Sequence, residues 1–197
     1  MFVTTLFAYV LTKKDMPLRN LFMYLTLFTM IFRGGMIPLY LVIKNLHLYN
    51  TLWAIMLPTA LDAYYLILLR NFFSSIPVSL IEAAEIEGCS PFKVFYFIVL
   101  PLSKASLAAI SLFNIVKYWN TFFPFVIYIR DEKLWNFQTM LRNMVLENET
   151  VSGVFYDISF ESLKNAAVIV VIIPVLILYP ILQKYFVKGV NLGSIKG

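Results

Sequence analysis

The chain has 197 residues, of which 60% are hydrophobic and only 14% charged, and its mean hydropathy is +0.79. Soluble domains carry about 45–50% apolar and about 25% charged residues, so the composition excludes a water-soluble domain and reads as an integral membrane protein. One cysteine excludes a disulfide framework, one histidine (His47) excludes a histidine-based metal cluster, and the net charge of +5 must be located before it implies an anionic partner.

A spanning helix needs about 20 mostly apolar residues. Met1–Leu11 is apolar but stops at Lys13-Lys14-Asp15, and a run of that length covers only about 17 Å. Its charges follow the apolar stretch, the reverse of a signal peptide. The segment 1–11 is therefore expected to be the cytoplasmic end of a span that begins upstream, and the chain to be truncated. Asn20–Ile43 predicts a span kinked by Arg33-Gly34-Gly35 and by Pro38. Thr51–Leu69 and Ala105–Ile129 each predict a complete spanning helix. Leu163–Gln183 predicts another, with Pro174 and Pro180 inside it, which neighbouring helices can accommodate. The expected fold class is all-α, a polytopic transmembrane helical bundle forming one domain over residues 1–197.

Charge sets the expected orientation. With the C-terminus inside, Lys13, Lys14, Arg19, Arg70, Lys93, Lys104, Lys184, Lys188 and Lys196 fall on the cytoplasmic side. Arg33, Lys44, Arg130, Lys133, Arg142 and Lys164 fall outside. The tail 184–197 carries three lysines and no acid, so the positive-inside rule favours a cytoplasmic C-terminus. The excess charge then suits anionic lipid and requires no nucleic acid.

The segment 70–104 lies between two spans and reads RNFFSSIPVSLIEAAEIEGCSPFKVFYFIVLPLSK. Ser79-x-x-Glu82 has capping-box spacing, which predicts a helix starting near Leu80. Gly88 can take the left-handed conformation that ends it, and Ser90-Pro91 predicts the start of a second helix. A short helix presenting Ala83 and Ala84 among Glu82, Glu85 and Glu87 suits a groove on a cytoplasmic partner.

Glu82-Ala83-Ala84, three residues, Gly88, nine residues and Ile98-x-Leu100-Pro101 resemble the EAA loop of ABC-importer permease subunits, EAA-x3-G-x9-I-x-LP, at every fixed position. The tail QKYFVKGVNLGSIKG resembles the C-terminus of the maltose-type (MalG-like) sugar permeases. Trp119-Asn120 within YWNTFFPF, and GGMIPLYLV at the first kink, resemble the oligosaccharide (LplC-like) branch. The resemblance implies the type I ABC-importer permease fold, with another span upstream, in a bacterial cytoplasmic membrane. It implies that Glu82, Ala83, Ala84 and Gly88, with Leu100 and Pro101, couple the permease to an ATPase. The implied partners are a second permease subunit, an ATPase dimer holding ATP and magnesium, an extracellular solute-binding protein, the lipid bilayer, and a sugar or oligosaccharide substrate. No cofactor is expected in this chain. The outer loop, residues 130–162 with Trp135, would meet the binding protein, its plainer reading being a solvated loop. Asn148-Glu149-Thr150 is read as a chance sequon.

No G-x-x-x-x-G-K-[ST] phosphate loop occurs in the sequence, so the chain is not expected to be an enzyme or to hydrolyse ATP. Asp62 and Lys117 lie within expected spans, where charge is costly. They read as a mutual pair, as contacts along a sugar pathway, or, for Lys117, as a snorkelling side chain. Tyr118, Trp119 and Asn120 offer aromatic faces beside a planar amide, as sugars require, and Arg33 is a further candidate, although aromatics are common in this chain. Competing readings are an ion-coupled secondary transporter using Asp62 and Lys117, which leaves the EAA loop unexplained, and a non-functional permease fragment.

Overall fold

The computed structural model describes residues 1–151, 162, 165–177 and 179–180. In chain order its helices are α1 (Phe2–Val10), α2 (Arg19–Ile31), α3 (Met36–Asn45), α4 (Trp53–Met56), α5 (Ala63–Ser74), α6 (Val78–Ile86), α7 (Pro91–Leu102), α8 (Lys104–Trp119), α9 (Phe123–Tyr128), α10 (Phe137–Val151) and α11 (Asn165–Ile177). No strand occurs among the described residues.

The expected spans are interrupted where the sequence carries glycine or proline. Asn20–Ile43 breaks between α2 and α3 at Gly35, whose φ of +87° admits glycine readily and other residues only with strain. Thr51–Leu69, expected as one helix, is instead α4 and α5 separated by residues 57–62. Pro58 accounts for this, since its ring and missing N–H break the ladder, and Asp62 restarts it as the N-cap of α5. Ala105–Ile129, also expected as one helix, divides into α8 and α9 at residues 120–122. Pro124 sits in the first turn of α9, where its missing donor costs nothing. Of Leu163–Gln183, α11 and residues 179–180 are described; the tail 184–197 and residues 152–161 of the outer loop lie outside the described residues.

Among the described residues no single helix is long and apolar enough to cross a membrane. Two bent pairs meet that test jointly, α5 with α6 at 72° and α7 with α8 at 80°, and α3 and α11 are shorter apolar helices.

The described residues form two bodies, one from Met1–Gly34 and Thr59–Ser111, the other from Gly35–Pro58 and the described part of Leu112–Ile181. The first is built around Ala8, Tyr9 and Leu11 of the α1 segment, Leu66, Leu69 and Phe73 of α5, Ala84 of α6, and Val94, Phe95 and Val99 of α7. Within it α1 packs mainly against α5. The second centres on Ile43, Ala54 and Tyr128, with Tyr40, Leu48 and Ile127 packed around them. Outside these cores large apolar side chains stay exposed, Ile31, Phe32 and Ile37 among them. Apolar surface on this scale needs lipid or a partner subunit to cover it.

Candidate functional site

The helix-turn-helix α6–α7 is the first candidate. Its start differs from the capping-box expectation: α6 begins at Val78 with Pro77 as N-cap, and no side chain caps it. Proline presets the extended φ of that position and moves the start before Ser79, leaving the Ser79 hydroxyl without the capping role. The expected end is present. Gly88 has φ +81°, its N–H donates to Glu85 O (3.0 Å), and Cys89 N–H donates to Ala84 O (2.9 Å). This pair of bonds is a Schellman cap, which satisfies two of the carbonyls that a helix end leaves open. The second start also forms as expected: Ser90 Oγ accepts from Lys93 N–H at 3.4 Å, with Pro91 in the first turn.

Helical spacing divides α6 into two faces. Ile81 and Ala84, the latter 7% exposed, pack onto the core of the first body. Val78, Glu82 and Ile86 follow at four-residue intervals on the exposed side, with Ala83 and Glu87 beside them. Ile86 is 87% exposed and Val78 62%. An apolar and acidic stripe ending at a glycine turn is therefore presented outward.

Downstream, Ile98 and Leu100 pack against the same core. Phe95–Val99 forms a π turn, and Leu100 N–H donates to Phe95 O across it. Pro101 lacks the N–H that would return to Phe97 O, which favours such a local rearrangement. Ser103, buried, then joins α7 to α8 at the 80° bend.

The substrate-path candidates are not gathered at one place. Arg33 is exposed in the break after α2. Asp62 lies in the first body, where its Oδ1 accepts from Tyr64 N–H (3.0 Å) and Tyr65 N–H (3.3 Å). Lys117, Tyr118, Trp119 and Asn120 lie in the second, at the end of α8. Lys117 and Tyr118 are exposed. Trp119 is half-buried, its indole N–H donating to Val171 O (3.2 Å) and its ring stacking on Phe137. Asn120 Nδ2 turns back to Val116 O (2.9 Å), and Thr121 Oγ1 donates to Lys117 O (2.8 Å), so both cap the end of α8.

Sequence reasoning missed two clusters. In the second body Asn136 Nδ2 donates to Thr121 O, while its Oδ1 accepts from Thr139 N–H (3.0 Å) and Thr139 Oγ1 (2.6 Å). The Arg142 guanidinium lies 4.2 Å from the Phe122 ring centroid. These contacts fasten α10 to the α8–α9 break. In the first body Lys13 Nζ meets Glu85 Oε1 at 3.0 Å, and Tyr9 OH donates to Pro91 O at 3.0 Å. Burial lowers the Lys13 pKa, but the Glu85 carboxylate and the neighbouring Tyr9 outweigh it and hold the ammonium above its usual 10.5. Partners 72 positions apart leave no local signal in a single sequence.

Residues 3–192 match the family described as "Binding-protein-dependent transport system inner membrane component". The polygalacturonan/rhamnogalacturonan transport system permease protein YtcP of Bacillus subtilis is 44% identical, over 100% of this chain and 71% of its own. Protein LplC of the same organism is 41% identical, over 100% and 68%. A crystal structure of a bacterial ABC transporter involved in the import of the acidic polysaccharide alginate superposes with a TM-score of 0.82 at 32% identity, covering 93% of this chain and 69% of that one. With its all-α architecture and its EAA loop, the chain belongs to the inner membrane components of binding-protein-dependent transport systems, the type I transmembrane permeases of ABC importers.

Proposed function

We propose that the chain is the translocation subunit of an ATP-driven importer of sugar oligomers, and that the outward stripe of α6 receives its ATPase subunit. The observation that carries this reading is the exposed Val78, Glu82, Ala83 and Ile86 face, set on a Gly88-capped turn whose other side is rooted in the core. A rooted helix with a free face transmits force, whereas a loop without core contacts would absorb it. ATP hydrolysis belongs to separate subunits, because the chain carries no phosphate loop. Closure of an ATPase pair would push α6 and α7 and switch the spans between inward and outward access. A second permease subunit and an extracellular solute-binding protein complete the assembly, with the C-terminus on the cytoplasmic side.

The relatives named for polygalacturonan/rhamnogalacturonan and alginate support an oligosaccharide substrate. Both polygalacturonan and alginate carry carboxylates, so carboxylated oligomers are the class favoured here. Exposed Lys117 and Tyr118 of the second body offer such a sugar a cation and an aromatic face. An ion-coupled mechanism through Asp62 is disfavoured, since that carboxylate is engaged in capping α5.

The test is uptake of oligogalacturonate into proteoliposomes holding the full transporter, with ATP inside and binding protein outside. Uptake should require ATP and should vanish in Gly88→Asp along with ATPase binding. Uptake driven by a proton gradient without ATPase subunits would overturn the reading.

A further inference from the structure

The C-terminal end of α1 grips both limbs of the α6–α7 hairpin. Lys13 lies beyond the end of α1, in the turn that follows it, and its ammonium comes back over the Tyr9 ring. Lys13 Nζ reaches Glu85 Oε1 on α6 (3.0 Å) and sits 5.6 Å from the centroid of the Tyr9 ring. The Tyr9 hydroxyl donates to Pro91 O at the first turn of α7 (3.0 Å), and its ring packs on Phe95 at 4.8 Å. The Gly88 turn is thus bracketed, with an ion pair before it and a hydrogen bond and ring contact after it. Tyr9 is itself buried, and Ala8 and Leu11 beside it belong to the core that includes Leu66, Leu69 and Phe73 of α5.

We propose that Tyr9 and Lys13 are positioning residues for transport, delivering displacement of the coupling helix α6 to α1 and, through its packing, to α5. The proposal rests on the reading of α6 as the ATPase-docking helix. Besides the packing of Ile81 and Ala84 on the core, α6 is joined back through residues 75–77 to α5 and forward through the Gly88 turn to α7. The α1 contacts bypass the Gly88 turn, holding the start of α7 and the end of α6 in one register. Glu85 points toward α1 and not along the exposed stripe of Glu82 and Ile86, so Lys13 acts behind the docking face.

The test compares sugar transported per ATP hydrolysed in proteoliposomes of the full transporter. Lys13→Met and Glu85→Gln should bind the ATPase subunit as the unaltered chain does, yet lower the transport-to-hydrolysis ratio about twofold, the size expected for one partly exposed ion pair. Tyr9→Phe, which keeps the ring and removes the hydroxyl, should lower it further when combined with Lys13→Met. The exchange Lys13→Glu with Glu85→Lys should restore the ratio, which a general loss of stability would not do. An unchanged ratio in the single variants, or an exchange no better than either, overturns the proposal while ATP-dependent uptake by the unaltered transporter stands. Loss of ATPase binding in the single variants also overturns it, since Lys13 and Glu85 would then belong to the docking face itself. Failure of the unaltered transporter to couple uptake to ATP would overturn the underlying reading instead.

Discussion

Replacing Gly88 with aspartate separates the stability of the hairpin from its recognition. Gly88 has φ +81°, and a Cβ placed there meets nothing within 4 Å. The cost to the chain is therefore conformational only, about 1 kcal/mol for a side chain in the left-handed region and less for aspartate or asparagine. Against a typical domain stability of about 5–15 kcal/mol this leaves the chain folded and inserted. At a packed interface the new carboxylate is far more expensive, because an unpaired buried charge costs about 3–5 kcal/mol. That corresponds to at least on the order of a hundredfold in affinity. The assay is co-purification of the ATPase subunit from detergent-solubilised membranes, normalised to permease content. Gly88→Asn supplies the same shape and backbone preference without the charge, and should retain more binding than Gly88→Asp. Binding by the aspartate variant within twofold of the unaltered chain would refute the docking argument, and depletion of that variant from the membrane would refute the energetic one.

Asp62→Asn keeps an acceptor for the Tyr64 and Tyr65 amides and should transport nearly as well as the unaltered chain, whereas Asp62→Ala should lose about 1 kcal/mol of helix stability. A proton path through Asp62 predicts instead that the asparagine variant is inactive in uptake. In the second body Asn50, at φ +59°, accepts from the amides of Arg130 (2.8 Å) and Asp131 (2.9 Å) through one oxygen. Asn50→Ala should cost about 2 kcal/mol, from the strained backbone and the lost acceptor together, and should appear as faster proteolysis near residue 130. Asn50→Gly keeps the backbone conformation and should cost less. For Lys13 the raised pKa fixes the sign: its contribution is complete below about 10.5 and fades as pH rises through the higher folded value. The Lys13–Glu85 pair adds no more than about 0.5 kcal/mol, as a partly exposed pair. Hydrogen exchange in α6, corrected for base catalysis, should therefore show no change in protection between pH 6 and 9 that depends on Lys13.

The EAA loop was legible because its structure is written in local chemistry. Gly88 and Ser90-Pro91 each dictate their own φ or cap within a few residues, and the structure forms both. Ser79 misled for an equally local reason, since Pro77 two residues earlier already set the start of α6. Span continuity was less legible. Hydropathy averages over about 20 residues and does not see the breaks that Pro58 and Pro124 impose. The tie between Lys13 and Glu85 was illegible in principle. It depends on α1 folding back against α6, a long-range arrangement for which the sequence offers only two unremarkable charges. The same holds for Asn136 and Thr139 at the α8–α9 break, which lie in an outer loop read as a surface for the binding protein or as a solvated loop, with no sign of their bonds to Thr121 and to each other. Trp119 and Asn120 read as sugar contacts from their types, but their polar groups bond to the backbone of α11 and α8.

Coupling through α6 requires that the ATPase subunit cover the outward face of that helix. Cysteine placed at Ile86, the most exposed large apolar side chain of that helix, with Cys89→Ser to remove the native thiol, can be labelled with a membrane-permeant maleimide. The rate of labelling is measured with and without co-expressed ATPase subunit, with cysteine at exposed Glu132 of the outer loop as control. The ATPase should protect position 86 at least tenfold and leave position 132 unchanged. Equal labelling of position 86 with and without the ATPase, while the complex still co-purifies, would contradict coupling through α6.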